Sequence, residues 1–373
     1  MPVSEAMDRH VRSRQIALAR CMQQRKKIYL DTCFWISARN AVLDNAATAG
    51  ERKLLHLLRR GVRAGQWICP ISESIFVEVM KQSNGTTRVA TAALIDELSL
   101  GVSLTSGRTR IATEIAHFFH TATGENDLYA MQELVWTKLS YALGYLHPTV
   151  AEFDADTELR MQMEVFDAIW ESPLTAIAEK VTPDRTREDG ALRESAATID
   201  ADIKTHQPSL VSFAQTYRDE IVGAADNYHP MLMEVIAQKA ERAGLPPPST
   251  DTPESRENAR IARNLLVAVF EKPETRKSLR SMHIQASLHA GLRWNKGTRF
   301  VANHFFDFEH ATAALAYCDA FFTEGFLANL INARHMKLTE LNDCHTTNKM
   351  DEALGILRSL LNAPMAIPEG APA

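Results

Sequence analysis

Apolar and polar positions follow two rhythms along these 373 residues. In the first third, short β-forming runs alternate with amphipathic stretches of helical period. Residues 5–25 have helical composition with many arginines. Ile28-Tyr29-Leu30 reads as a strand ending in Asp31, and the residues after Asp31 read as helix. Residues 48–64, ATAGERKLLHLLRRGVR, carry apolar positions at helical spacing and stop near Gly65. Trp67 to Ile71 predicts a second strand. Ser72 is then the N-cap of a helix in SESIFVEVMKQ, closed by Asn84-Gly85. A helix over 87–98, a short strand at 101–104 and a helix over 108–120 complete the region. This alternation predicts a parallel α/β sheet.

From about 121 to 274 the rhythm changes. Strand signals vanish and helical periodicity dominates, broken by polar stretches at 181–190 and 244–257. The second break is proline-rich and reads as a surface loop or linker. The α/β pattern returns with helices near 274–294 and 307–317 and an apolar strand in DAFFT, 319–323. The expected organisation is therefore a discontinuous α/β core, 1–120 and 275–345, with an all-α insertion over 121–274. A C-terminal helix and disordered tail are expected over 346–373.

Composition narrows the class. Hydrophobic residues make up 45% and charged residues 23%, enough for a substantial core. No apolar run approaches the roughly 18 residues of a membrane helix, and no secretory signal opens the chain. The five cysteines form no Cys-x-x-Cys pair, so a reducing cytoplasm is expected. The net charge of −5 conceals an asymmetry. Residues 9–27 hold seven Lys or Arg and no acid, and run into Asp31. Residues 276–304 hold six (Arg276, Lys277, Arg280, Arg293, Lys296 and Arg299), again with no acid, and run into Asp307. Over 151–203, acids outnumber Lys and Arg by more than two to one. The basic segments are either solvated helix faces or contacts for a phosphate backbone, with Trp294 available to stack a base. The acidic stretch either repels nucleic acid or docks on the basic surfaces.

Several acids occupy positions where α/β folds do chemistry. Ligands bind outside the carboxyl ends of strands in an open parallel sheet, and Asp31 follows strand one. Glu78 falls in the second turn of the helix after strand two. Asp307 falls in the first turn of a late helix. Asp319 begins the next strand and Glu324 follows its end, after Thr323. Each alone is compatible with a capping or solvated acid. Gathered together, they would repel one another and call for a cation. Oxygen ligands favour Mg²⁺ or Mn²⁺.

The segments YLDTCFW, ISESIFVEV and FFDFEHATAALAYCDAFFT together resemble the PIN domain, a metal-dependent nuclease family. The resemblance covers about 1–120 and 275–330. It implies a three-layer α/β/α core with a central parallel sheet. It also implies catalytic and metal-binding acids at Asp31, Glu78, Asp307 and either Asp319 or Glu324, with Thr32 and Thr323 beside them. The implied activity is Mg²⁺- or Mn²⁺-dependent endoribonuclease hydrolysis of single-stranded RNA, leaving a 5′-phosphate. Gly325 stands where many members carry the last acid, and the insertion is far larger than in compact toxin members. His310, one turn beyond Asp307, either contacts phosphate, orients Asp307 or packs in the core.

Two other functions compete. Aspartyl-phosphate chemistry would need a second Asp two residues after Asp31, where Cys33 stands. A non-catalytic RNA-binding or regulatory protein on the same core is the alternative. An inhibitory or regulatory protein partner and a homo-oligomer are open expectations, as are toxin, phage-defence and RNA-maturation roles. His117 and His120, three apart, read as surface residues. Arg110 and Glu114 read as an i,i+4 helix pair.

Overall fold

The computed structural model describes residues 5–44, 46–142, 148–149, 152–180, 188–245, 252–295, 297–336, 338–339 and 343–362. Lys296, the C-terminal tail and much of the two polar breaks lie outside these residues. The strands are β1 (Lys26–Leu30), β2 (Trp67–Ile68), β3 (Val102–Leu104), β4 (Trp136–Lys138), β5 (Ala320–Phe322) and β6 (His345–Thr347). Four of them form a parallel sheet in the order β2-β1-β5-β6. In its centre, Ile28 pairs with Ala320, Tyr29 with Phe321 and Leu30 with Phe322. All six are fully buried, which explains a continuous apolar run where a half-exposed strand would alternate. β3 and β4 pair antiparallel, and a parallel bridge from Ile71 to Ser103 ties them to the chain leaving β2.

Helix α1 (Glu5–Cys21) precedes β1, and α2 (Thr32–Leu43) and α3 (Ala49–Arg63) link β1 to β2. Next come α4 (Glu73–Met80) and α5 (Gly85–Ser99), then α6 (Gly107–Ala122) and the short α7 (Met131–Leu134). The long helical stretch comprises α8 (Leu139–Ala142), α9 (Ala155–Trp170), α10 (Leu174–Ala178), α11 (Glu188–His206), α12 (Phe213–Arg242), α13 (Pro253–Val269) and α14 (Pro273–Arg276). Then α15 (Arg280–Trp294) and α16 (Asn303–Tyr317) lead into β5, α17 (Gly325–Ile331) follows it, and α18 (Met350–Asn362) follows β6. The result is a mixed α/β fold dominated by helix. No described helix is long and apolar enough to cross a membrane.

The structure corrects several expectations. The region from 121 is not all-α, because β4 returns to pair with β3; three residues are too few to show a period. The sheet also extends to β6, past the expected boundary at 345. Ser72 makes no side-chain cap, and its hydroxyl instead meets Tyr29 at 2.6 Å. Asn84 caps the start of α5 by accepting from Thr87 N and does not end α4. Arg110 and Glu114 are both buried and turn to other partners. Arg110 donates to Thr105 O, while Glu114 accepts from Ser281 N and O–H and from Tyr317 O–H. Glu114 thus caps the start of α15 from another helix, serving a terminus that has no side-chain cap of its own.

The two basic segments are largely satisfied within the chain. Arg14 pairs with Asp167 and Glu171 on α9, and Arg20 with Glu133 on α7. Arg293 pairs with Glu220 on α12, and Arg276 lies over the Tyr217 ring, 5.4 Å from its centroid. Helix α15 is buried along most of its length, from Ser281 to Leu292. Arg280 and Arg293 therefore sit at opposite ends of a core helix, roughly 20 Å apart at 1.5 Å per residue. They form no single contiguous patch there, and Asp167 and Glu171 of the acidic stretch pair with Arg14 of the first basic segment.

Candidate metal centre

Strand β1 delivers Asp31 to the carboxyl end of the sheet, where it becomes the N-cap of α2. Its Oδ1 accepts from Thr32 N at 2.6 Å, and its Oδ2 accepts from the Thr323 hydroxyl at 2.6 Å. The capping reading therefore holds for Asp31. Thr323 reaches Asp31 because β5 runs parallel beside β1, and Asp31 N bonds to Phe322 O. Both threonines resembling the family's hydroxyl residues therefore touch the acids, since the Thr32 hydroxyl donates to Glu78 Oε2.

Glu78 stands half-buried on the second turn of α4. His310, wholly buried on α16, places Nε2 at 3.0 Å from Glu78 Oε2 and 3.8 Å from Asp31 Oδ1. Ligand atoms of Asp31, Glu78 and His310 all lie within 4.8 Å of one another. The other face of the imidazole is fixed too. Its Nδ1 meets Tyr29 Oη at 2.8 Å, and that hydroxyl meets Ser72 Oγ at 2.6 Å. Sequence reasoning overlooked Tyr29 and this role of Ser72. The signal for Tyr29 was available: two residues before Asp31, it shares Asp31's face of the strand.

Helix α16 starts at Asn303, so Asp307 lies in the second turn and not the first. It is buried, and Asn303 Nδ2 donates to its Oδ1 at 3.1 Å. Burial, then the charges of Glu324 and Asp31, push its carboxyl up to about 7. Glu324, exposed just after Thr323, is raised by desolvation and by Asp31 and Glu78. Glu78 is driven the other way. Its desolvation is outweighed by the His310 hydrogen bond and charge and by Thr32 and Lys81, so its carboxyl is lowered. For His310, desolvation favours the neutral ring, but Glu78, Asp31 and Asp307 overcome it and raise its pKa. The cluster thus combines crowded carboxylates with one imidazole whose protonated form they favour.

Asp319 does not belong to it. It opens β5 at the amino end, accepting from Lys27 N at 2.8 Å and Lys26 Nζ at 2.7 Å. Lys27 is four residues before Asp31 on β1, so about 13 Å of strand separates the two ends. Glu324 is the acid near Asp31. Its signal was its place after the strand, the end at which parallel sheets bind ligands.

The nucleic-acid candidates are scattered. Arg276 donates to Phe270 O and Arg280 to Lys277 O and Ala316 O. Lys277 and Arg299 are exposed. Lys81, at the end of α4, lies over the Phe306 ring at 4.6 Å and acts on Glu78. His117 and His120 have separate partners, Tyr129 O and Glu125.

The donor set suits a hard or borderline cation: carboxylate oxygens from three or four segments, with one imidazole nitrogen, which favours Mn²⁺ over Mg²⁺. Compared with known proteins, the chain matches no family model, no curated protein and no solved structure.

Proposed function

We propose that this chain is a divalent-metal-dependent endoribonuclease on a PIN-like core, hydrolysing single-stranded RNA. One observation carries the reading. Asp31, Glu78, Asp307 and Glu324 come from four separate segments, and Asp307 and Glu324 are raised by burial first and then by the charges of the neighbouring acids. Crowding of this kind is offset when a cation binds.

Asp31, Glu78 and Asp307 would hold Mg²⁺ or Mn²⁺, which when bound lowers the pKa of water and neutralises charge on a phosphodiester. Thr32 and Thr323 fix the carboxylates of Glu78 and Asp31. Glu324, exposed at the rim with a raised carboxyl, is suited to accept the proton of the attacking water. Lys81, whose charge acts on Glu78, is a cation suited to phosphate near these acids.

The test is cleavage of a labelled single-stranded RNA with Mn²⁺ and with chelator. Wild type should cut only with metal, and Asp31→Asn should lose about a hundredfold or more while remaining folded. A second reading, non-catalytic RNA binding or regulation, is favoured by the imidazole already beside Glu78. RNA binding without Mn²⁺-stimulated cutting would support it.

A further inference from the structure

A cavity away from the acid cluster lies among α12, α13, α14 and α15, with a volume of about 970 Å³. That is at the upper end of the few hundred to roughly 1,000 Å³ typical of small-molecule sites. None of the carboxylates of the candidate metal centre lines it. Its apolar wall is made by Ile221, Val222, Val267 and Phe270. Its polar groups converge from other directions. His283 is 6% exposed. Its Nδ1 meets Tyr217 Oη at 2.7 Å, and its Nε2 has no hydrogen bond among the described residues. Arg276 is held over Tyr217 and spends only Nε on Phe270 O, so its two terminal nitrogens have no hydrogen-bond acceptor among the described residues. Arg218, exposed, lines the same space, and Glu271 is the acid on its edge.

We propose that this cavity binds an amphipathic anion, an alkyl or aryl carboxylate. The head sits on Arg276, Arg218 and His283, and the body packs on Ile221, Val222, Val267 and Phe270. Burial and the Arg276 charge push the His283 ring down to about 4, so it stays neutral at neutral pH. In the tautomer in which the Tyr217 hydroxyl donates to Nδ1, Nε2 carries a proton and serves as a neutral donor. The two guanidiniums provide the charge complement, since a planar fork matches a carboxylate. The apolar wall excludes a bare phosphate chain as occupant, because nothing would repay its contact with Val222 and Val267. This inference is independent of the proposed nuclease activity, and fails or stands without it.

The test is a fluorescence titration of the full chain with 8-anilinonaphthalene-1-sulfonate, followed by competition with dodecanoate, dodecanol and dodecyltrimethylammonium. The expected result is saturable binding, displaced by dodecanoate at roughly tenfold lower concentration than by the cationic or neutral chain. Val267→Trp, which fills the cavity, should abolish binding. Arg276→Gln should weaken dodecanoate by roughly tenfold, and Glu271→Gln should tighten it. Arg218→Gln, at an exposed position, gives the same readout should Arg276→Gln unfold the protein. Equal displacement by all three chains would overturn the proposal, as would binding unmoved by Val267→Trp or an absence of saturable binding.

Discussion

The imidazole of His310 stands 3.0 Å from Glu78 Oε2, so its protonated form would supply the acid cluster with a cation of its own. A divalent ion entering there competes with a proton. His310 is raised above its ordinary value, and below that raised value it is charged and repels metal. Asp307 also holds a proton up to about pH 7. Mn²⁺ affinity should therefore fall as pH drops from 8 to 6. Calorimetry in buffers of differing ionisation enthalpy should count about one to two protons released per ion near pH 6. An affinity independent of pH would show that neither group faces the ion.

Asp307 makes the metal-free fold sensitive to pH in a definite direction. Its carboxyl rises from 3.8 to about 7 on folding. The folded state thus holds a proton that the unfolded state has lost, and stability falls as pH rises through that window. At about 1.4 kcal/mol per pH unit, ionising it in the empty site costs on the order of 4 kcal/mol. Asp307→Asn should raise the metal-free Tm at pH 8, with little effect near pH 4, and should abolish Mn²⁺ stabilisation. A lower Tm at pH 8 would mean that the ionised carboxylate is satisfied without metal.

Asp319 supplies the control. It pairs with Lys26 and Lys27 N at the far end of the sheet. Asp319→Asn should cost about 1 kcal/mol in chemical denaturation and leave Mn²⁺ affinity within about twofold. Loss of metal binding in that variant would return Asp319 to the site.

Glu114 anchors α15 from outside it. Its carboxylate is buried and receives Ser281 N, the Ser281 hydroxyl and the Tyr317 hydroxyl. Glu114→Ala leaves those donors unpaired and should cost roughly 2–4 kcal/mol in denaturant unfolding. A change near zero would mean that water replaces the carboxylate.

The sequence made Asp31, Glu78 and Asp307 legible because each stands at a fixed offset from a strong strand or helix signal. Both threonines were legible for the same reason. His310 was visible one turn from Asp307, but its contact with Glu78 depends on how α16 packs on α4, which no local pattern encodes. Asp319 misled because it and Glu324 bracket the same strand, and only strand direction tells which end holds the site. The basic segments misled for a related reason. A run of Lys and Arg without acids looks unpaired in sequence, whereas Arg14 and Arg293 find Glu171 and Glu220 at long range. Strand β4 was illegible because its three residues are too short for a period and its pairing with β3 is tertiary.

The most direct test is diffraction at the manganese edge from crystals soaked in Mn²⁺. The account predicts an anomalous peak in contact with the carboxylates of Asp31 and Glu78, within reach of Asp307, with His310 either bound to the ion or turned from Glu78. A peak lying elsewhere, or a cluster in which His310 still bonds Glu78 and no ion is seen, would contradict it.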